Sequence, residues 1–499
     1  MGASLPGAGY PCTMGVILLV LLACGSGPTK PGDSGVSRPP GTGTTAGTTP
    51  AGTTPGGTPA GTTPAGTTPA GTTPAGTTPT GRVPPNVLLV VADDLGVDFL
   101  SIYGATGAPV PATPTLDALA SEGVRFADAW SSPLCSPTRS ELLTGRRAWR
   151  WGLGTAVRHL DSIDFPPDAI TLPEVLGPGW GAAFVGKWHL TAGDPALTAP
   201  LDQGFDHWSG TLGNIGPENS PTRRSGQTYT EWERVEDGVL GLSKVYATTD
   251  TVDDALVQVR TLPEPWFVEV AFNAGHSPYH FPDPSLLSRD WRLGPSTQSF
   301  KFGAMIEALD TELGRLLTSL PPDVADRTIV VFVGDNGTPG GVVPEPAKGT
   351  VYQAGVHVPL LVRGPGVAAG VVVEAPVDLV DLPATVADLA GVGFPEPVDG
   401  VSLVPCLSDP GCRPRETGFA YAFTPNGPGP YVSYSASVRD GRYKLLEGFH
   451  EEFQPFVSHQ LFDLDGAGEA VDLLAGTPAP DALAIRDRLL AALDAHLDR

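Results

Sequence analysis

The chain has 499 residues and 41% hydrophobic side chains, enough to fill a sizeable core in a segment that begins near residue 83. That excludes a disordered protein and a small disulfide scaffold, and at about 100 to 200 residues per domain it suggests two domains, one of them large. Lys and Arg number 30 against 54 Asp and Glu, a formal charge of -24 with no basic run, which excludes an electrostatically held nucleic acid. An anionic substrate therefore requires a small local cluster of cations inside an acidic shell.

In chain order, residues 16–23 form an apolar run too short for a bilayer, which needs about 20 such residues. The run fits an export signal, with Met14 as an alternative start. Leu21-Leu22-Ala23-Cys24 resembles a bacterial lipoprotein signal, which implies removal of residues 1–23 and a lipid on Cys24. The expectation is an exported protein, lipid-anchored in the bacterial cell envelope and facing the periplasm or the cell surface. Residues 24–82 follow as a tether: Ala-Gly-Thr-Thr-Pro occurs six times from Ala46 to Pro79, a unit with no apolar face to bury. Five cysteines stand at 12, 24, 135, 406 and 412. Cys406 and Cys412 flank the turn-like Asp409-Pro410-Gly411 and can meet in a disulfide, which leaves Cys135 unpaired.

Residues 86–92, 181–185, 266–272 and 327–334 read as strands, near-continuous apolar runs of the kind covered on both faces. Residues 115–122, 300–320 and 381–390 carry apolar side chains at helical spacing. This alternation predicts an α/β domain over 83–414, built on a mainly parallel sheet sandwiched by helices. Short aromatic-rich strands are expected at 418–423, 431–438 and 442–446, and a helix at 480–493. These predict a small C-terminal antiparallel sheet with a helix over 415–499.

Chemistry in such sheets sits beyond the carboxyl ends of the strands, where Asp93-Asp94 and Asp335-Asn336 fall. A lone Asp after a strand ordinarily caps a turn. Two such pairs together offer three carboxylates and an amide oxygen, the hard ligands of Ca²⁺ or Mg²⁺. The remaining cluster is Cys135-Ser136-Pro137-Thr138-Arg139, with Arg139 one helical turn beyond the unpaired cysteine.

The string CSPTRSELLTGR at 135–146 resembles the signature of the formylglycine-dependent sulfatases, within the alkaline phosphatase-like superfamily. The likeness extends from about 84 to 475, through Gly186-Lys187-Trp188-His189, His276 with Pro278, Asp335-Asn336-Gly337 and Lys348-Gly349-Thr350. It implies that a formylglycine-generating enzyme converts Cys135 to an aldehyde whose hydrate is the nucleophile. It further implies one Ca²⁺, with Mg²⁺ the lesser expectation, held by Asp93, Asp94, Asp335, Asn336 and residue 135. Arg139 and Lys348 would orient that residue, and Lys187, His189 and His276 would face the sulfate. Asp335 would act as base, His276 or Lys348 would protonate the leaving alcohol, and His189 would help release sulfate.

The implied activity is hydrolysis of a sulfated small molecule or glycan, arylsulfatase-like, with loop 209–237 expected to select the alcohol. A formylglycine-dependent phosphodiesterase or phosphonate monoester hydrolase is the alternative, and a noncatalytic surface-binding lipoprotein the structural one. His280 is expected to line the entrance. His159, His207, His450, His459 and His496 are expected to be structural or at the surface. His357 stands where the family often has Arg, and Gln353-Ala354-Gly355 where it has Glu-Gly-Gly.

Overall fold

The computed structural model describes residues 84–498 apart from 108, 159–162, 164, 192–196, 219 and 452–453, and only the backbone of 454–456. The export segment, Cys24, the repeat tether and His159 lie outside the described residues. None of the described helices is long and apolar enough to cross a membrane.

The large sheet has eleven strands. In chain order they are β1 (Asn86–Ala92), β2 (Val124–Trp130), β3 (Gly181–Lys187), β4 (His207–Thr211), β5 (Trp232–Glu236) and β6 (Val239–Ser243). β7 (Trp266–Ala271), β8 (Thr328–Gly334), β9 (His357–Arg363), β10 (Val371–Val373) and β11 (Val377–Asp378) complete it. The order is β10-β2-β9-β8-β1-β7-β3-β4-β5-β6, with β11 also on β2. The central run from β8 through β1, β7 and β3 to β4 is parallel. β9 is antiparallel to both β8 and β2, so β2 points the same way as β1. The carboxyl ends of β1, β2, β3, β4, β7 and β8 therefore share one edge, joined there by the start of β9.

Why β1 is apolar from Val87 to Ala92 follows from its position. Val87, Leu89 and Val91 enter one core with Leu142 and Leu143 of the helix Cys135–Thr144. Leu88 and Val90 enter the other core, with Leu309, Leu313 and Leu316 of the helix Gln298–Thr318. Each such side chain contributes about 1.5–3 kcal/mol by leaving water, so a charge on either face of β1 would open a core. The α/β sandwich expected from the sequence is thus present. Its boundaries shift for local reasons: the helix expected at 300–320 starts at Gln298 because the Thr297 hydroxyl caps it, accepting from the Phe300 N–H at 3.4 Å.

Four further strands, β12 (Gly418–Thr424), β13 (Ser433–Arg439), β14 (Tyr443–His450) and β15 (Gln454–Asp463), form an antiparallel meander. Leu445 and Leu461 pack on Leu489 and Leu493 of the helix Pro480–His496. On the other face, Leu446 and Phe462 meet Trp130 of β2 together with Val351 and Val356. The small sheet thereby abuts the segment that links Lys348 to β9. Cys406 and Cys412 form the expected disulfide, and Cys135 is free and buried.

Three of the histidines read as structural have such partners. His207 bridges Asp237 and Asp254 at 3.1 Å each, His459 meets Glu447 at 3.1 Å, and His496 meets Thr417 at 2.9 Å. The His357 ring faces the Ala127 carbonyl at 2.9 Å, behind the site.

Candidate active site

Every element of the site leaves the same sheet edge. β1 ends in Asp93-Asp94, β8 in Asp335-Asn336, and β3 in Lys187, with His189 two residues beyond; the helix Cys135–Thr144 begins just past β2. Pro137 is harmless in the first helical turn, where its missing N–H had no partner to lose. Close approach at the ends of β3 and β7 demands Gly186: a Cβ there would lie 1.8 Å from the Ala271 carbonyl oxygen.

Asp93, Asp94, Cys135 and Asp335, all buried, offer ligand atoms within 4.8 Å of one another. The Cys135 Sγ lies 3.6 Å from Asp93 Oδ1, 3.5 Å from Lys187 Nζ and 3.4 Å from Lys348 Nζ. Lys187 Nζ donates to Asp93 at 2.5 Å, and Lys348 pairs with Asp94. Arg139 directs its guanidinium to Asp335 at 2.7 and 3.1 Å and to the Lys187 carbonyl at 2.6 Å, with Asp93 at 3.8 Å. The Asp94 N–H donates to Asp335 Oδ1 at 2.9 Å, locking one strand end to the other.

Asn336 Nδ2 donates to Asp94 and to the Gly337 carbonyl at 2.8 and 3.0 Å, while its buried Oδ1 has no hydrogen-bond partner. An unpaired acceptor beside three carboxylates is what a hard divalent cation would satisfy, so the residues fit the expected metal.

The charges deepen the picture. Burial pushes the Asp93 carboxyl up to about 7 against the pull of Lys187, with Asp335 and Asp94 adding to the rise. Asp94 is equally buried, but Lys348, His276 and Lys187 outweigh that cost and hold it below the usual carboxylate range. Burial pushes the Cys135 thiol up to about 12 despite both lysines, so an unmodified cysteine here is a poor nucleophile.

His276 sits with Nε2 3.9 Å from Asp94 Oδ2 and Nδ1 2.9 Å from the Ser277 carbonyl. Burial brings its imidazole down to about 3, against the opposing pull of Asp94. His189 adopts a left-handed backbone, φ 60°, and its buried Nδ1 has no hydrogen-bond partner. Its carbonyl accepts from Ser136 Oγ at 2.6 Å, and its N–H donates to the Leu212 carbonyl at 2.9 Å.

All the residues singled out in the sequence therefore converge, though unequally. Cys135, Lys187, Lys348 and the carboxylates are in direct contact. Arg139 reaches the thiol's neighbours rather than hydrogen-bonding the thiol, and no hydrogen bond joins His189's ring to the cluster. Sequence reasoning missed Ser136, which holds His189, and Thr338. The Thr338 hydroxyl accepts from the Gly96 N–H at 3.0 Å and donates to Asp98 at 2.6 Å, tying the two acidic turns together. Thr338 follows Asp335-Asn336-Gly337 directly and was within reach of motif reading; Ser136 acts through a backbone carbonyl that no motif reveals.

The sulfatase family profile matches residues 85–392. The chain belongs to the sulfatase family. A second profile, the C-terminal part of N-sulphoglucosamine sulphohydrolase, matches residues 347–490. Human N-acetylgalactosamine-6-sulfatase is 33% identical over 65% of the chain and 66% of its own length, so the chain spans just under two thirds of that relative. Bovine arylsulfatase A is 34% identical over 80% of the chain and 86% of its own length. Among solved structures, Ps i-CgsB is 26% identical with a TM-score of 0.67, covering 83% of this chain and 92% of that one. The fold is thus the alkaline phosphatase-like fold of the sulfatases.

Proposed function

We propose that this sulfatase hydrolyses sulfate esters to alcohol and inorganic sulfate, with formylglycine formed from Cys135 as its nucleophilic residue. The observation that carries the reading is the buried thiol held between Lys187 and Lys348 at the edge of a three-carboxylate cluster. Hydrated formylglycine supplies one hydroxyl to attack sulfur and a second whose deprotonation releases sulfate. A bound cation, Ca²⁺ by family likeness, would supply positive charge that stabilises the sulfuryl group as the ester oxygen departs.

The remaining work falls to side chains of this chain. Asp93, Asp94, Asp335 and the Asn336 amide oxygen would hold the cation. Lys187 and Lys348, already at the Cys135 side chain, would donate to the sulfate oxygens, where each charge-assisted bond contributes about 1.5–3 kcal/mol. Arg139 would keep Asp335 in place from behind. His276, with Nε2 3.9 Å from Asp94 Oδ2, would face the departing oxygen, and His189 the hydroxyl that gives up its proton on sulfate release. This is the local cationic cluster that a chain of net charge -24 requires.

The test is a paired assay of formylglycine-containing protein on an aryl sulfate, the matching aryl phosphate and a phosphonate monoester. Sulfate should be turned over fastest; phosphate or phosphonate turnover far above it would assign the alternative phosphodiesterase or phosphonate chemistry.

Ser136 provides a second expectation. Its hydroxyl donates to the His189 carbonyl and accepts from the Val157 N–H at 2.8 Å. Ser136→Ala should lower kcat about tenfold with little change in KM, because a displaced catalytic ring costs rate rather than binding. Conversion of Cys135 should persist, since Ser136 occupies a variable position of Cys-x-Pro-x-Arg, and peptide mass analysis checks this.

We further propose that Cys24 carries lipid and that residues 25–82 tether the enzyme to the envelope. The support is the apolar run ending at Ala23, the cysteine that follows, and a repeat tract too poor in apolar side chains to fold. Wild-type protein should sediment with host membranes, and Cys24→Ala should move it to the soluble fraction. A soluble wild type without acyl mass would refute the anchor and leave the sulfatase reading standing.

A further inference from the structure

The turn that presents His276 is held from outside by an aromatic group the chemistry above does not use. Tyr229 is 2% exposed, and its hydroxyl lies 2.5 Å from the Asn273 carbonyl oxygen and 2.7 Å from that of His276. Those two carbonyls bracket the turn, which the His276 N–H also closes onto Asn273 at 3.0 Å. One phenolic proton thus serves both ends of the segment carrying the imidazole.

The stretch that follows His276 is fixed by His280. Its Nδ1 lies 2.9 Å from the Pro278 carbonyl and its Nε2 3.1 Å from the Tyr246 hydroxyl. A carbonyl only accepts, so Nδ1 carries the proton; Nε2 of the neutral ring must then accept, and Tyr246 donates. The His280 ring lies 4.5 Å from the Tyr229 ring and 5.5 Å from that of Tyr246. Tyr246 precedes the helix Ala247–Thr261, whose first N–H donates to the Tyr229 carbonyl at 2.7 Å. The group is therefore seated on a long helix rather than on the turn it grips.

Within the turn, by contrast, the His276 ring has little to hold it. Its contacts are local, to Ser277, apart from Asp94 at 3.9 Å. We propose that Tyr229, Tyr246 and His280 form a positioning cluster that aims the His276 ring at the departing oxygen of the substrate. This rests on the sulfatase reading. It places His280 behind the catalytic turn rather than among groups that select the alcohol.

The measurement compares phenyl sulfate, a poor leaving group, with nitrophenyl sulfate, a good one, using full-length formylglycine-containing protein. Tyr229→Phe should lower kcat about tenfold on phenyl sulfate and about threefold or less on nitrophenyl sulfate, with KM nearly unchanged. A departing oxygen that needs less help is less sensitive to a misaimed His276, whereas general loosening would reduce both rates alike. His280→Gln, which can keep an acceptor for Tyr246, should retain more phenyl sulfate activity than His280→Leu. Should Tyr229→Phe fail to fold, Tyr246→Phe carries the same selective loss, with thermal midpoint and Cys135 conversion confirming intact protein. Unchanged phenyl sulfate turnover in folded variants, or equal losses on the two esters, would overturn the proposal. Wild-type protein inactive on both esters and on sulfated glycans would instead refute the sulfatase reading, and this inference with it.

Discussion

Cys135→Ala should abolish multiple turnover, lowering kcat on an aryl sulfate by on the order of 10⁴ or more, as removal of a nucleophile does. Its folding should survive. The substitution deletes one sulfur atom from a buried site, a loss of about 1 kcal/mol that moves the melting temperature of a domain this large by only about 2 °C. Cys135→Ser is the sharper variant. It keeps one hydroxyl near Lys187 and Lys348 but lacks the second on the same carbon, so the sulfated serine has no internal route to release sulfate. Turnover should be absent even where a first ester is cleaved. A serine variant that cycles at the wild-type rate would remove the need for an aldehyde at this position.

Metal removal should have the second largest effect. Asp93, Asp94 and Asp335 crowd one point, and the Asn336 Oδ1 beside them lacks a partner. A chelator should therefore suppress activity and lower the melting temperature together. Ca²⁺ should restore both, whereas Mg²⁺, with its small octahedral shell, should restore less. At a hundredfold excess over Kd the ion stabilises the fold by about 3 kcal/mol. Asp335→Ala should cost more than the ion alone: it also strips Arg139 of its 2.7 Å partner, leaving a buried guanidinium without that carboxylate. Elemental analysis of dialysed wild type should give close to one equivalent of calcium. Zinc at that level, with activity tracking it, would contradict the assignment.

The parts of the fold that were legible are those whose physics is local. β1 occupies the expected residues because Val87 to Ala92, covered on both faces, form an unbroken apolar run. β2 was not read, since Arg125 and Asp128 interrupt its apolar run; Asp128 is buried and paired with Arg439 of the small sheet, a partner far away in sequence. Segment 209–237, expected to select the alcohol, holds at its two ends the last residues of β4 and all of β5, neither of which was read as strand. The β5–β6 hairpin did carry a signal: Asp237 and Gly238 both have positive φ, the Asp-Gly turn that favours a tight hairpin. The helix Ala247–Thr261 was missed because its first turns are crowded with threonine and acidic residues, and its burial rather than its propensity sustains it.

The site followed the same division. Carboxylates directly after apolar strands announce themselves, and family likeness joined Lys187, His189, His276 and Lys348 to them. What the sequence could not show is which groups hold those residues in place. Ser136 and Tyr229 act on backbone carbonyls, and the Gln353 N–H donates to Glu469 of the C-terminal region at 2.8 Å. Such bonds depend on where the chain returns, not on which residues are neighbours.

The central claim is that turnover belongs to the aldehyde at position 135. Protein should be prepared with and without a formylglycine-generating enzyme, and each sample divided between peptide mass analysis of residue 135 and aryl sulfate turnover. The account predicts that kcat rises in proportion to the fraction of residue 135 that has lost hydrogen sulfide and gained one oxygen. Full turnover from protein whose Cys135 is entirely thiol would contradict it.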